Sequence, residues 1–135
     1  GRANTKSKLG QNKEAIVDYN IAIELDSEYA KAYYRRAIAK SKLGLNKKAI
    51  VDYNIAIELD PQYAKAYYRR AIAKSKLGQN ESAIEDYNKA IKIDPEYAEA
   101  YYNRGTAKSK LGLTDAAEED HKRGIELGFI VDDIS

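Results

Sequence analysis

Apolar residues recur through residues 47–60 with the spacing of one face of an α-helix. Ala49, Tyr53, Ala56 and Ile57 lie at positions i, i+4, i+7 and i+8, and charged or polar residues fill most of the gaps. Because an α-helix has about 3.6 residues per turn, this spacing brings the four side chains into one stripe. The pattern predicts an amphipathic helix over residues 47–60.

A second amphipathic helix is predicted immediately before it, over residues 30–43. Its apolar face consists of Ala32, Tyr33, Ala37 and Leu43. Alanines on both faces allow two helix backbones to approach closely, and larger side chains there would overpack the contact. We therefore expect the two helices to pack against each other.

The residues between the helices predict a tight turn. Gly44 lies just past the end of the first helix, where a residue in the left-handed conformation commonly closes a helix. Asn46 is predicted to cap the second helix with its side chain, and Pro61 marks the end of that helix. Two helices joined in this way form an antiparallel hairpin.

The whole pattern returns every 34 residues. A Leu-Gly dipeptide marks the step at residues 9–10, 43–44, 77–78 and 111–112. Residues 9–42 and 43–76 differ at only four positions. A fixed period of about 20–50 residues is typical of a solenoid, in which each unit buries its apolar face against its neighbours.

We therefore predict a single array. Residues 1–29 form a truncated first repeat, residues 30–63 and 64–97 form complete repeats, residues 98–131 form a divergent last repeat, and residues 132–135 form a tail. The first unit lacks the opening of its first helix, so we expect a fragment of a longer array or a chain whose front has been removed. Both ends are then expected to expose surface that suits a neighbour.

The recurring positions resemble the tetratricopeptide repeat. That family has a 34-residue helix–turn–helix unit with an aromatic residue early in the first helix and small residues at fixed contacts. The aromatic and small positions are held by Tyr33, Tyr67, Tyr101, Ala37, Ala71 and Gly105. The resemblance implies an all-α, right-handed solenoid of antiparallel helix hairpins. It also implies that the first helices line a concave face that binds peptides or protein segments without catalysis.

The resemblance further implies which residues form the ligand surface. They lie on the concave side of the first helices and combine basic, aromatic, aliphatic and small polar side chains: Lys31, Tyr34, Arg35, Ile38, Lys65, Tyr68, Arg69, Ile72, Tyr102, Asn103 and Thr106. Tyrosine offers a large contact area, and arginine holds carboxylates in a bidentate fork. An extended acidic peptide is therefore the expected ligand.

Two roles remain open for the tyrosines of this surface. Tyr34, Tyr68 and Tyr102 either contact the ligand or pack against neighbouring helices, and the sequence favours neither alternative. For the adjacent tyrosines at the family's aromatic position, packing is the favoured role. The only histidine, His121, replaces a packing tyrosine in the last repeat, and a structural role is predicted for it too.

One branch of the family uses a two-carboxylate clamp to hold the C-termini of chaperones. Asn4, Lys65 and Arg69 match places in that clamp, but Arg35 stands where a second asparagine is required. The first lysine of the clamp would precede Gly1. A working clamp is therefore not predicted.

An arginine stands in each complete repeat at a place where the family more often has leucine. A half-buried arginine needs a partner, and an aspartate precedes the second-helix aromatic of each unit. We predict ion pairs within the repeats, Arg36 with Asp52 and Arg70 with Asp86.

Composition limits the remaining possibilities. The chain has no cysteine, which excludes disulfides and thiolate metal sites. Its formal charge is +2, distributed as −1 over residues 1–29, +4 over 30–63, +2 over 64–97 and −3 over 98–135. A basic middle favours acidic partners. No signal peptide or membrane-spanning segment is visible, which favours a cytoplasmic location, although the N-terminus looks truncated.

No motif indicates an enzyme or a cofactor, because the sequence has no phosphate-binding loop, metal-spaced ligand set or activated nucleophile. RNA binding is a weaker alternative, since Glu99 and Asn103 interrupt the basic stripe that it requires. Self-association through the exposed repeat ends is a third alternative, because near-identical units can stack head to tail.

Overall fold

The structure is a computed structural model that describes the backbone of residues 2–131 and the side chains of residues 8–131. The predicted tail, residues 132–135, lies outside the described residues. The described residues form α-helices joined by short turns and contain no strand. Its helices are α1 (Arg2–Leu25), α2 (Ala30–Lys42), α3 (Asn46–Leu59), α4 (Ala64–Lys76), α5 (Asn80–Ile93), α6 (Ala98–Lys110) and α7 (Thr114–Glu126).

The helices pack as antiparallel hairpins, α2 with α3, α4 with α5 and α6 with α7. Each hairpin also packs on the next, and α4 contacts both α2 and α6 along one side of the array. This is the predicted all-α solenoid. The helices predicted over residues 30–43 and 47–60 correspond to α2 and α3, and each predicted end lies within one residue of the observed end.

Gly44 closes α2 as expected. Its φ angle is +80°, and the equivalent Gly78 and Gly112 have φ angles of +79° and +82°. The N–H of Gly44 donates to Ser41 O, and the N–H of Leu45 donates to Lys40 O, both at 2.9 Å. These two bonds satisfy carbonyls that the end of a helix leaves without partners.

The prediction that Asn46 caps α3 is wrong. Leu45 holds the cap position and makes no side-chain cap bond, while Asn46 is already the first residue of the helix. The Asn46 side chain turns back toward the preceding helix, where its Oδ1 accepts a hydrogen bond from Ser41 Oγ at 3.4 Å.

The turn predicted at Gly10 is also absent, because α1 runs through this residue as one 24-residue helix. The first repeat therefore does not form a hairpin, and the C-terminal half of α1 has no helix of its own repeat folded back against it. Tyr19 is only half-buried and Asp18 is exposed, whereas the equivalent Tyr53 and Asp52 in α3 are each 1% exposed. The same sequence has a different environment because its packing partner differs.

The core lies between the helices of each hairpin and continues into the next. Ala37, Ala49 and Ala56 are fully buried around the ring of Tyr53. In the last hairpin, a glycine allows closer approach: a Cβ built on Gly105 would lie 2.6 Å from Cδ2 of His121. The structural role predicted for His121 is confirmed by this contact.

Candidate functional site

Some of the cations on the first helices belong to the fold. Arg36 donates from Nε and Nη2 to the two carboxylate oxygens of Asp52 at 2.8 and 2.7 Å, and Lys40 Nζ lies 2.9 Å from the same carboxylate. Arg36 Nη1 also donates to Asn20 of the preceding unit at 2.9 Å. A buried carboxylate is costly unless it is paired and hydrogen-bonded, so these cations neutralise Asp52.

The arrangement recurs in the next two hairpins, where Arg70 pairs with Asp86 and Arg104 with Asp120 at the same distances. The predicted arginine–aspartate pairs are confirmed. Burial alone would raise the pKa of Asp120, but hydrogen bonds from Arg104 and Lys108 outweigh it and hold the pKa below its usual value.

The second cation of each pair, which is Lys40, Lys74 or Lys108, was not predicted from the sequence. A signal was present, because each lysine follows its arginine by four residues. Residues four apart lie on the same face of a helix.

Other cations on α2 and α4 have a different environment. Lys31, Arg35, Lys65 and Arg69 are all exposed, and no salt bridge involves them within the described residues. Each helix thus carries one set of cations paired with a buried aspartate and a second set without a salt bridge. In the second set, the guanidinium carbon of Arg69 lies 5.9 Å from the ring centroid of Tyr68. The second set coincides with the basic residues of the predicted ligand surface.

Two tyrosines of that surface are buried, whereas its cations are exposed. Tyr34 and Tyr68 are each only 9% exposed. The ring of Tyr34 lies 4.8 Å from that of Tyr63 and 6.1 Å from that of Tyr53, measured between ring centroids. Tyr68 has the same two contacts with the next repeat. Of the two roles left open, these positions favour packing.

Tyr102 differs from its equivalents because the last repeat has diverged. It is half-buried and stacks on Phe129 with ring centroids 4.2 Å apart, and its ring centroid lies 4.4 Å from that of His121. Thr106 Oγ1 lies 3.1 Å from His121 Nε2. Tyr102 and Thr106, both on α6, therefore hold the ring of His121 from α7 against the helix that carries the predicted surface.

The remaining residues of the predicted surface line two small hollows farther along the first helices. Ile38, Arg69 and Ile72 border a hollow of about 90 Å³, and Ile72, Asn103 and Thr106 border one of about 170 Å³. Asn103 Nδ2 donates to the hydroxyl of Tyr68 at 2.8 Å. The hollows are too small for more than single side chains.

A cavity lies where α2, α4 and α6 begin. We call it the rim groove. Its volume is about 820 Å³, within the range of about 300–1,000 Å³ that is common for ligand sites. Its lining residues are Lys31, Tyr34, Arg35, Tyr63, Ala64, Lys65, Asp94, Glu96, Tyr97, Ala98, Glu99, Leu127 and Gly128.

Two tyrosines of the rim groove were not predicted from the sequence. Tyr63 and Tyr97 precede α4 and α6, and their rings pack at a tilt against those of Tyr34 and Tyr68. Burial raises the pKa of Tyr63 to about 12, and it raises the pKa of Tyr97 as well. Their equivalent spacing of 34 residues was visible in the sequence, but their place outside the helices concealed the contact.

Other kinds of site find no support in the part of the chain that the structure describes. It contains no group of three or more histidine, cysteine, aspartate or glutamate residues that could hold a metal ion. None of its helices has the length and apolarity needed to cross a bilayer. The clamp residue Asn4 lies outside the described side chains.

Family models match successive parts of the array. A model described as TPR repeat matches residues 3–44 and 73–112, and models described as tetratricopeptide repeat match residues 30–63, 53–85 and 98–127. The chain belongs to the tetratricopeptide repeat (TPR) family. Comparison with curated proteins finds no match.

Solved TPR structures share the fold. The crystal structure of MamA is 31% identical with a TM-score of 0.80, and the match covers 92% of this chain and 78% of that one. MamA 41-end from Desulfovibrio magneticus RS-1 is 25% identical with a TM-score of 0.81, covering 90% and 68%. The first TPR of Spaghetti (RPAP3), bound to the HSP90 peptide SRMEEVD, is 29% identical with a TM-score of 0.73, covering 76% and 82%.

Proposed function

We propose that this TPR array is a non-catalytic interaction module that binds an acidic peptide segment on its concave face. The ligand surface consists of the residues predicted from the sequence, with Lys31, Arg35, Lys65 and Arg69 making the charged contacts. Tyr34 and Tyr68 form part of the floor beneath them.

One observation carries the proposal. Arg36 and Lys40 share α2 with Lys31 and Arg35, yet only the first pair is bound to a buried aspartate. The fold therefore accounts for Arg36 and Lys40 but gives no structural reason for Lys31 and Arg35. Unpaired cations attract carboxylates, and arginine can hold one through two parallel hydrogen bonds.

The family likeness supports a peptide as the ligand. The Spaghetti TPR contains an HSP90 peptide, SRMEEVD, with two glutamates and a terminal aspartate. The present chain has Arg35 where the two-carboxylate clamp requires asparagine, so its mode of binding an acidic segment is expected to differ.

Titration with a fluorescent acidic peptide, Glu-Asp-Glu-Tyr-Gly-Ser-Ser-Ser, tests the proposal. We expect a Kd on the order of micromolar, because a few anchors must offset the ordering of an extended chain. The Arg35→Ala/Arg69→Ala variant should weaken binding by about tenfold. The control is Lys47→Ala/Lys48→Ala, which removes two exposed cations from α3. Equal loss in both variants would contradict a concave site.

A second candidate function is self-association through α1. Val17, Ile21 and Leu25 of α1 are 56%, 51% and 84% exposed, and their spacing of four residues places them on one face of the helix. Antiparallel pairing of two α1 helices would cover this face in both copies, which is a closed two-fold contact.

Sedimentation equilibrium over a range of concentrations tests the second candidate. Val17→Lys/Ile21→Lys should dissociate the dimer, because it places two charges on the face that pairing would bury. Glu24→Arg, an exposed charge change on the same helix, is the control. A monomer at every concentration would exclude self-association through α1.

A further inference from the structure

The rim groove has opposite charges on its two sides. Lys31 and Arg35 come from α2 and Lys65 from α4, whereas Glu96 lies in the loop before α6 and Glu99 in α6 itself. All five side chains are exposed. The change of sign follows the array, from basic on the side of α2 to acidic on the side of α6.

These charges do not neutralise one another. Within the described residues, no salt bridge of 4.0 Å or less joins any of the three cations to either glutamate. For Lys31 and Arg35 the geometry provides a reason, because α4 lies between α2 and α6 and contacts both. Both groups face a cavity of about 820 Å³ and remain available to a ligand.

Asp94 also lines the rim groove, but it belongs to the loop. Its Oδ1 accepts the backbone N–H of Glu96 at 3.1 Å, and the equivalent Asp60 makes the same bond with Gln62. A bond that recurs at both loops serves the turn. Asp94 therefore adds its charge to the acidic side, and Glu96 and Glu99 are the acidic side chains there that the turn does not hold.

One charge of the acidic side is specific to the last repeat. Glu99 stands where Lys31 and Lys65 stand in the two preceding repeats, whereas Glu96 stands where Glu28 and Gln62 stand. The floor does not change, since Tyr63 and Tyr97 are equivalent and contact equivalent partners. The two ends of the rim groove therefore differ in charge, from Lys31 and Lys65 to Glu99.

We propose that the rim groove selects a peptide in which an acidic cluster and a basic cluster lie a few residues apart. The acidic cluster binds over Lys31, Arg35 and Lys65, and the basic cluster binds over Glu96 and Glu99. This inference rests on the proposed peptide-binding function and deepens it. A uniformly acidic segment meets repulsion from Glu96 and Glu99, whereas a charge-segregated segment is complementary along the whole groove.

Three peptides test the inference. The first is charge-segregated, Glu-Asp-Glu-Tyr-Gly-Lys-Arg-Lys; the second has the same composition in alternating order, Glu-Lys-Asp-Tyr-Gly-Arg-Glu-Lys; the third is the acidic peptide described above. We expect the segregated peptide to bind about tenfold more tightly than either of the others at low salt. The reason is that it forms several exposed ion pairs with the groove, each of modest strength. The difference should shrink at high salt, where exposed charges are screened.

Charge-reversed variants assign the two sides. Lys31→Glu/Arg35→Glu should weaken binding of the segregated and the acidic peptide. Glu96→Lys/Glu99→Lys should weaken the segregated peptide but strengthen the acidic one. The matched control, Lys47→Glu/Lys48→Glu, reverses two charges on α3 and should leave both affinities unchanged. Thermal unfolding curves of each variant verify that the fold is retained.

A spin label on the acidic end of the segregated peptide gives a readout of orientation. It should broaden the backbone NMR signals of Lys31 and Arg35 more than those of Glu96 and Glu99. Combining Lys31→Glu, Arg35→Glu and Lys65→Glu with Glu96→Lys and Glu99→Lys should exchange the two sets of broadened signals.

The outcomes separate this inference from the function on which it rests. If the wild type binds the acidic peptide as tightly as the segregated one, the charge-segregated ligand is wrong and the peptide-binding function stands. If the alternating peptide equals the segregated one, the order of charges is irrelevant and the inference is likewise overturned. If no peptide binds, both proposals fall.

Discussion

The guanidinium of Arg36 forms two hydrogen bonds with the carboxylate of Asp52, at 2.8 and 2.7 Å, across the interface between α2 and α3. The side chain of Asp52 is 2% exposed and that of Arg36 is 18% exposed. The pair therefore lies at the boundary of the core, where the aspartate has lost its water and depends on protein donors. The same bonds in two further repeats make this contact a repeated element of the array.

Removal of the arginine should destabilise the protein more than removal of the whole pair. Arg36→Met leaves Asp52 buried with only Lys40 as a cationic partner, and loss of one member of a buried ion pair costs about 3 kcal/mol or more. Arg36→Met/Asp52→Leu replaces both charges with apolar groups and should recover most of that loss. Chemical denaturation measures both effects.

Glu58→Gln is the control for charge removal, because Glu58 is exposed and makes no salt bridge within the described residues. It should change the free energy of unfolding by less than about 0.5 kcal/mol. A double variant that is less stable than Arg36→Met would show that the aspartate stabilises the fold by contacts other than the ion pair.

The tyrosines that pack against one another predict a loss of stability at alkaline pH. Burial raises the pKa of Tyr63 to about 12 and also raises the pKa of Tyr53 and Tyr87 above the ordinary value of 10.0. A raised pKa means that the fold favours the neutral phenol. Its contribution is therefore complete below pH 10 and is lost as the pH rises toward the folded-state pKa.

Circular dichroism across an alkaline titration measures this effect. Tyr63→Phe keeps the ring but removes the titrating hydroxyl, so its stability should fall less steeply between pH 10 and 12. Tyr29→Phe is the matched control, because Tyr29 is exposed at the equivalent place one repeat earlier. Identical pH profiles for the two variants would exclude the titration of Tyr63 as a cause of the loss of stability at alkaline pH.

The last repeat should tolerate an added methyl group less well than its neighbours. A Cβ on Gly105 would lie 2.6 Å from Cδ2 of His121 and 2.8 Å from the backbone oxygen of Ala117. Gly105→Ala should therefore lower the free energy of unfolding by about 1–3 kcal/mol, despite the higher helix propensity of alanine.

Gly105→Ala/His121→Ala distinguishes the two contacts. It removes the side-chain clash but keeps the clash with the backbone of Ala117, so only part of the stability should return. Full recovery would show that the histidine ring alone requires glycine at residue 105. Stability unchanged in Gly105→Ala itself would contradict the close approach of α6 and α7.

The 34-residue period was sufficient to predict the fold because it records contacts that every repeat makes. The helix bounds, the left-handed Gly44 and the Arg36–Asp52 pair all follow from local pattern or from one charge that needed a partner. Asn46 was misassigned because cap residues and first-turn residues differ only in backbone conformation. A single sequence does not distinguish the two.

The candidate site was less predictable, since it depends on contacts between repeats. Tyr34 and Arg35 are adjacent in α2, but Tyr63 from the next loop covers the first and leaves the second exposed. No pattern within one helix contains that information. The rim groove was not predicted for the same reason. Its acidic side begins in the loop at Glu96, whereas the predicted surface contained only helical residues.

Gly10 and Gly44 occupy the same place in successive repeats and have opposite conformational requirements. Gly44 has a φ angle of +80° at the end of α2, whereas Gly10 lies inside α1 and is not among the residues with positive φ. A Cβ on either residue would meet no atom within 4 Å. The effect of alanine at each position is therefore determined by the backbone alone.

Alanine should consequently have opposite effects at the two positions. Gly44→Ala must hold a left-handed conformation, which costs about 1–2 kcal/mol, whereas Gly10→Ala should stabilise α1 by up to about 1 kcal/mol because alanine favours helices over glycine. Chemical denaturation of both variants measures the difference, and residues 8–12 should gain protection from hydrogen exchange in Gly10→Ala. If Gly10→Ala were destabilised to the same extent as Gly44→Ala, residue 10 would adopt the left-handed turn of its equivalents. Asp18 would then have a first helix packed against it, and the exposed face on which α1 pairing depends would not exist.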